Sequence, residues 1–291
     1  MSGAVLAIDI GSNTIKCLLG RVENGAVARL YERTLDRRIM GSGGLVPNAA
    51  DVVSDSVSLF VREASAFAPA FKTVAVATSA LRDSPRRDEI TAAVAESAGV
   101  EIRVLSGGDE ARLSFSGAMG DPLVDASKKC AYFDLGGGSM EIVAGQNGAV
   151  ECAKSLNVGA VRLTRECASP DGYFERARAE FAASLADFPK TELLVGAGGA
   201  VVAARLMKAK LGLSGAENEI SLADIEKCYA AVLPLSVGER VEKFGISAGR
   251  ADIIPAAFAC IMELMRSLGK NRLTHTFCNI RYGIVRAESA S

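Results

Sequence analysis

An α/β fold of two related lobes is what this 291-residue chain predicts. The first observation behind it is a repeat: residues 7–20 read AIDIGSNTIKCLLG and residues 132–145 read YFDLGGGSMEIVAG, an offset of 125 positions. Asp9 aligns with Asp134, Gly11 with Gly136, Thr14 with Ser139 and Gly20 with Gly145. Each copy is an apolar run, Asp-x-Gly, a turn of small residues and a second apolar run, which is the pattern of a β-hairpin. The second observation is the alternation of helical and strand periods behind each hairpin, the mark of an α/β protein. The third is length, because a chain of this size outgrows the usual single core and favours two.

Taken in order, residues 4–34 read as strand, turn, strand and a third strand, and 49–68 carry apolar residues at helical spacing. A strand at 73–77, a helix at 86–98, a strand at 101–105 and a helix at 109–118 complete the first lobe. Ser106 and Asp109 fit a capping box at the start of that last helix. The stretch GDPLVDASKK at 120–129 has turn chemistry and serves as a linker, so the lobes are set at 1–122 and 123–291. The second lobe opens with the second hairpin and continues through helices near 170–187, 200–212, 221–233 and 251–268, with a strand at 192–196.

Composition narrows the function classes. With 33 basic and 34 acidic residues the chain has no general electrostatic affinity for nucleic acid, and a polyanionic substrate has to be met by local basic clusters. No run of eighteen apolar residues marks a membrane span, and MSGAVLAIDIGS lacks the charged start and cleavage site of a signal peptide, so a cytoplasmic protein is expected. The seven cysteines include no C-x-x-C and are expected to be buried reduced thiols. His275, the only histidine, lies in the polar stretch KNRLTHT and reads as a surface or interface residue, which leaves Ser-His-Asp and Cys-His hydrolases without a base. The run ELLVGAGGAVVAARL imitates a dinucleotide fingerprint, but Val201 stands where a third Gly or Ala is needed.

The small residues of the two hairpin turns let backbone N–H groups approach an anion and wrap it, so two such turns can cradle phosphate. Eight ordered segments then carry a resemblance nearly end to end: AIDIGSNT (7–14), ATSALR (77–82), LSGGDEARL (105–113), FDLGGGSMEIV (133–143), LNVGAVRLT (156–164), VGAGGA (195–200), GRADII (249–254) and IRYGIV (280–285). The chain resembles the exopolyphosphatase/guanosine pentaphosphate phosphohydrolase (Ppx/GppA) family of the actin, sugar-kinase and Hsp70 superfamily. The resemblance implies a two-lobed actin-like ATPase fold of duplicated ribonuclease-H-like domains with an interlobe cleft, and a last helix that packs back toward the first lobe. It also implies a Mg²⁺-dependent hydrolase that removes terminal orthophosphate from linear polyphosphate or guanosine pentaphosphate.

Residue by residue, Asp9 and Asp134 sit where a strand meets its turn, a place where Asp often only bonds its own backbone. A leaving phosphoryl chain needs a bridging cation, and Mg²⁺ is held by one or two carboxylates with waters and phosphate. Asp134 and Glu141 are seven residues apart, and the turn that reverses the chain can bring both to one mouth. By resemblance this pair positions the metal and the attacking water, with Asp9 as a further metal residue. Glu110 is the expected general base by the same resemblance, whereas Asp109 is explained by capping alone.

Ser12, Asn13 and Thr14 form the first phosphate cradle, and Gly136, Gly137, Gly138 and Ser139 the second. Arg82 ends ATSALR after a strand; a lone arginine there is more often a solvated surface charge, but by resemblance it is expected to take two phosphate oxygens at once. Arg162, Arg250 and Arg281 match family arginines, but each fits a structural ion pair equally well.

Two departures stand out. In DRRIMGSGGL, Ile39 occupies the place of a family arginine, so that Arg37 or Arg38 takes over or one contact is missing. At Gly198-Gly199-Ala200 the family's Thr is an Ala, which weakens nucleotide recognition. A sugar or metabolite kinase of the same superfamily and a non-catalytic alarmone or polyphosphate sensor remain the alternatives. The oligomeric state stays open, a homodimer among the choices. Long relatives carry a further helical region with a His-Asp signature, and this chain without one is expected to act distributively on long polymers.

Overall fold

The computed structural model describes residues 3–41 and 44–289. Ser42 and Gly43 of the DRRIMGSGGL segment lie outside the described residues. The chain divides into two compact units, Met1–Pro122 together with Cys278–Ser291, and Leu123–Phe277.

The first unit runs β1 (Ala4–Ile10), β2 (Ile15–Glu23), β3 (Ala26–Leu35), β4 (Met40–Gly41), β5 (Gly44–Leu45), α1 (Ala49–Ala64), β6 (Phe71–Ala77), α2 (Ser79–Arg82), α3 (Arg87–Ala98), β7 (Ile102–Val104) and α4 (Gly107–Ala118). The second runs β8 (Cys130–Leu135), β9 (Met140–Gln146), β10 (Ala149–Leu156), α5 (Ala160–Glu166), α6 (Pro170–Ser184), β11 (Leu193–Ala197), α7 (Gly199–Lys210), β12 (Glu219–Ser221), α8 (Leu222–Val232), α9 (Val237–Phe244), α10 (Ile254–Ser267) and β13 (Arg272–His275). Helix α11 (Ile280–Ser289) then returns to the first unit.

In the first unit the sheet order is β3-β2-β1-β6-β7, with β1–β2 and β2–β3 antiparallel and β1–β6 and β6–β7 parallel. Central strand β1 is buried on both faces, as an almost unbroken apolar strand must be. Leu6, Ile8 and Ile10 join the core under α1 and α3, while Val5 and Ala7 join the core that α11 covers with Ile280, Ile284 and Val285. Helix α1 forms because its apolar residues fall on one stripe, and the buried ones are Ala49, Val53, Val57, Phe60 and Ala64, with Ser56 between.

The second unit repeats the plan with the sheet order β10-β9-β8-β11-β13-β12. Its core gathers one face of β8 and β9 with α6, α7, α8 and α10. Every described residue of α10 from Ile254 to Met265 is buried, which accounts for its near-continuous apolar sequence.

The repeat is exact in register. Ile10 faces Ile15 and Asp9 faces Lys16 in the first hairpin; Leu135 faces Met140 and Asp134 faces Glu141 in the second. The bulges coincide as well: Leu30 of β3 is the extra residue opposite Leu19 and Gly20, and Glu151 of β10 is the extra residue opposite their counterparts Ala144 and Gly145. In each unit an Asn-Gly pair turns the chain into a third strand, with positive φ at Asn24 and Gly25 and at Asn147 and Gly148, as a two-residue hairpin turn demands. The third strand of the second unit, β10, is absent from the sequence expectation, although Asn147-Gly148 announces it.

His275 corrects another expectation. It is 1% exposed in β13, beside Gly196 of β11, rather than at the surface. The polar letters around it belong to the loop that leads into a buried strand. All seven cysteines are free thiols; Cys17, Cys130, Cys228 and Cys260 are buried, and Cys152, Cys167 and Cys278 are half-buried.

Candidate active site

In the first unit β1, β6 and β7 run parallel, so their carboxyl ends share one edge of the sheet, which is where open α/β sheets bind ligands. Three segments leave that edge: the turn 11–14, the short helix ending at Arg82, and the start of α4. In the turn, Gly11 N–H donates to Thr14 O at 3.1 Å, and Ser12, Asn13 and Thr14 are all buried. The loop after β3 is tied down on it, since the N–H groups of Ile39 and Met40 both donate to Ser12 O at 3.1 and 3.2 Å. Ile39 itself is buried in the core, which explains why no arginine stands there. Arg38 instead reaches the turn, its Nε donating to Asn13 Oδ1 at 2.7 Å.

Helix α4 separates two neighbouring acids by role. Ser106 Oγ accepts from Asp109 N–H at 3.1 Å and donates to Asp109 Oδ2 at 2.7 Å, so the cap is complete without Glu110. Asp109 is exposed, with Arg112 at 3.5 Å. Glu110 is 9% exposed and turned inward, where Arg82 Nη1 donates to its Oε2 at 2.9 Å and also to Leu105 O at 3.2 Å. Burying a carboxylate is costly unless it is paired. Arg82 supplies that pairing, and its guanidinium stands beside the carboxylate at the edge where substrate oxygens are expected.

In the second unit β8, β11 and β13 run parallel and again bring their carboxyl ends together. Gly136 N–H donates to Ser139 O at 2.9 Å, the counterpart of the Gly11–Thr14 bond. The carbonyls of Gly136 and Gly137 accept from the N–H groups that open α5, those of Ala160, Val161 and Arg162, at 2.9 to 3.0 Å. Arg162 Nε donates to Gly138 O at 2.7 Å. The carbonyls of Gly136, Gly137 and Gly138 are thus all committed to α5.

Asp134 and Glu141 are direct cross-strand partners, so both carboxylates lie on the same face of the sheet. Glu141 is 2% exposed and accepts from Ser155 Oγ at 2.9 Å. Gly198 has φ +92°, and a Cβ there would stand 2.5 Å from Asp134 Oδ1; only glycine lets this loop close on the carboxylate. At Gly199 a side chain would collide with the Arg250 guanidinium, which puts Arg250 against the same loop. Ala200 is buried in the core.

The candidate metal residues fall into two settings. Asp9 faces Lys16, an acid opposite a base, whereas Asp134 faces a second acid. Among the described residues no three His, Cys, Asp or Glu side chains form a metal-holding group. Mg²⁺ needs no such group, because it keeps several waters and takes only one or two carboxylates. The Asp134–Glu141 pair fits that requirement and Asp9, with a lysine across from it, fits it less well. Lys16 was not singled out from sequence, yet the repeat itself aligns it with Glu141. Arg281 is structural: it is buried, and its Nη1 donates to Cys17 O at 3.0 Å and pairs with Glu32 at 2.9 Å.

Residues 23–289 match the model of the Ppx/GppA phosphatase family. The chain is 30% identical over 285 residues to exopolyphosphatase 1 of Mycobacterium tuberculosis, covering 90% of this chain and 81% of that protein. It is 29% identical over 311 residues to exopolyphosphatase 2 of the same organism, covering 96% and 97%. Among solved structures, an exopolyphosphatase from Cytophaga hutchinsonii superposes with a TM-score of 0.86 at 19% identity, over 99% of this chain and 98% of that one. The Aquifex aeolicus member of the Ppx/GppA family superposes with a TM-score of 0.82 at 20% identity, over 100% and 98%. The fold is therefore the α/β actin-like fold of those structures.

Proposed function

Because the chain belongs to the Ppx/GppA phosphatase family, we propose that it is a Mg²⁺-dependent exopolyphosphatase, releasing terminal orthophosphate from linear inorganic polyphosphate. The observation that carries this reading is Glu110: a buried carboxylate at the ligand-binding edge of its sheet, spared from capping and held by Arg82. A structural acid of a first helical turn is usually exposed to its own N–H groups, as Asp109 is.

In the proposed reaction a water oxygen attacks the terminal phosphorus in line with the anhydride oxygen. Glu110 Oε accepts the proton that the water loses, the new P–O bond forms as the anhydride P–O bond breaks, and the shortened polyphosphate leaves with the bonding electrons. Arg82 holds Glu110 in place and offers its guanidinium to the phosphate oxygens. The turns 11–14 and 136–139 bind phosphate through backbone N–H groups, with Ser12, Asn13, Thr14 and Ser139 adding side-chain donors. Asp134 and Glu141 are the carboxylates that would hold Mg²⁺. Bound there, the ion supplies charge neutralisation on the phosphate oxygens. The two exopolyphosphatases of Mycobacterium tuberculosis support the choice of polyphosphate.

The test is phosphate release measured side by side on polyphosphate, guanosine pentaphosphate and ATP. Release fastest from polyphosphate is the expected outcome. A preference for guanosine pentaphosphate moves the assignment to the other substrate of the resemblance, an ATP-dependent product marks a kinase, and binding without release marks a sensor.

A further inference from the structure

We propose that strand β7 is a self-association surface, along which two copies of this chain pair antiparallel about a two-fold axis at Ile102. The inference goes beyond the exopolyphosphatase assignment and does not depend on it.

Strand β7 ends its sheet. It pairs with β6 on one side, and among the described residues no strand pairs with it on the other. Leu105 N–H donates to Ala77 O at 2.9 Å, so Leu105 turns its main chain toward β6, and strand alternation gives Arg103 the same orientation. The N–H and C=O groups of Ile102 and Val104 therefore point out of the sheet edge, where such groups are a template for another chain.

Residues 100–104 read Val-Glu-Ile-Arg-Val, a segment that is its own complement. In an antiparallel pair centred on Ile102, that residue meets its own copy, Glu101 meets Arg103 and Val100 meets Val104, the last two combinations each forming twice. Both faces of the sheet match as well. Arg103 lies opposite Val76, and Val76 and Leu105 belong to the core under α11, so Glu101 and Arg103 stand on that side. Val100, Ile102 and Val104 pack on the other, against the core under α1 and α3. A two-fold axis normal to the sheet keeps each face on its own side, so the apolar row continues into an apolar row and acids meet bases.

Glu101 and Arg103 are exposed, and among the described residues neither forms an ion pair within the chain. An open hollow lined by Lys72, Val74, Glu101, Arg103 and Glu288 runs beside them. Charges on a short edge strand ordinarily discourage pairing; opposite charges two residues apart select one register instead. Centring the pair on Glu101 or Arg103 sets like charges against each other, and centring it between residues turns the second copy over and joins the charged face to the apolar one. A pair of five residues is smaller than a standard interface, so the expected Kd is about 10–100 μM.

Sedimentation velocity of the full-length chain from about 1 to 300 μM reads the association. The samples are wild type, Glu101→Arg, Arg103→Glu, the double variant with both changes, and an equimolar mixture of the two single variants. Wild type should show a monomer–dimer equilibrium that weakens as KCl is raised. Each single variant replaces two attractive pairs by two repulsive ones and should raise Kd about 10- to 100-fold. The double variant restores both pairs, and the mixture again sets acids against bases, so both should return toward the wild-type Kd.

A wild type that stays monomeric over the whole range overturns the proposal. So does a dimer whose Kd the single variants leave unchanged, since it forms through another surface, and so does a loss that neither the double variant nor the mixture recovers. Association that continues past the dimer also overturns it, because two-fold pairing of one edge is closed. None of these readings uses phosphate release, so they stand apart from the outcome of the substrate assay.

Discussion

Glu110 and Asp109 are adjacent acids with opposite surroundings, and the difference sets what each can do. Asp109 faces solvent and completes a cap; Glu110 is buried against Arg82. Glu110→Gln keeps the shape and should leave substrate binding near wild type while turnover falls by about 10²- to 10⁴-fold, the usual cost of a lost general base. Single-turnover phosphate release measures it, and near-normal release removes Glu110 from the chemistry. Asp134→Asn should act differently, raising the Mg²⁺ concentration needed for half-maximal rate, because one hard oxygen of the Asp134–Glu141 pair loses its charge. An unchanged metal titration places the ion elsewhere.

The thiols give a pH expectation. Burial pushes Cys17 and Cys228 up to about 12 and Cys130 to about 11. In the unfolded chain these groups ionise near their ordinary value of about 8.5, so it then binds fewer protons than the folded one. Stability should be intact below about pH 8 and fall as pH rises through the ordinary thiol range. Denaturant midpoints at pH 7 and pH 10 check this, and equal midpoints contradict it.

At the level of elements, α4 owes its position to α11. A Cβ at Gly117 would strike Asn279 O, and one at Gly283 would strike Leu113 O, so the two helices meet backbone to backbone. Neither obstacle is a flexible side-chain end. Gly283→Ala should therefore cost at least the 1–3 kcal/mol of ordinary overpacking and should lower activity as well, because α4 carries Glu110. Urea melts read the first effect as a lower midpoint at unchanged slope, and a midpoint equal to wild type refutes it.

How much of this was legible in the sequence follows from what each element relies on. The hairpins, α1, α6 and α8 were readable because strand alternation, helical stripes and Asn or Ser turn chemistry are local. Strand β13 was not, since RLTH makes sense only as a strand beside β11, and helix α11 was expected only through the resemblance, because nothing local in IRYGIVRAES says that it packs on β1. The carboxylate pair was half legible: spacing allowed Asp134 and Glu141 to meet, and register made them partners. Arg38 could not be chosen over Arg37 from sequence, because what distinguishes them is the loop bonded to Ser12 O.

Across the molecule, one unit is a single stretch of chain and the other is made of two. Leu123–Phe277 contains its own sheet and core, while the first unit needs α11 to cover Val5, Ala7 and Leu18. A fragment spanning 123–277 should fold alone and melt cooperatively by circular dichroism, whereas one spanning 1–122 should bind dyes of exposed apolar surface and fail to melt as one transition. A cooperative 1–122 fragment would show that α11 is dispensable to that core.

The order of synthesis gives α11 a further consequence. The ribosome makes β1 first and the helix that seals it only after the whole of Leu123–Phe277. At about 5–20 residues per second, the intervening 155 residues take roughly 8–30 s, during which the nascent first unit waits with one side of its sheet bare. The half of the protein that begins first is thus the half that matures last. The helix bearing Glu110 gains its backbone-to-backbone neighbour only then, so a growing chain exposes apolar surface of its first sheet until its last residues are made.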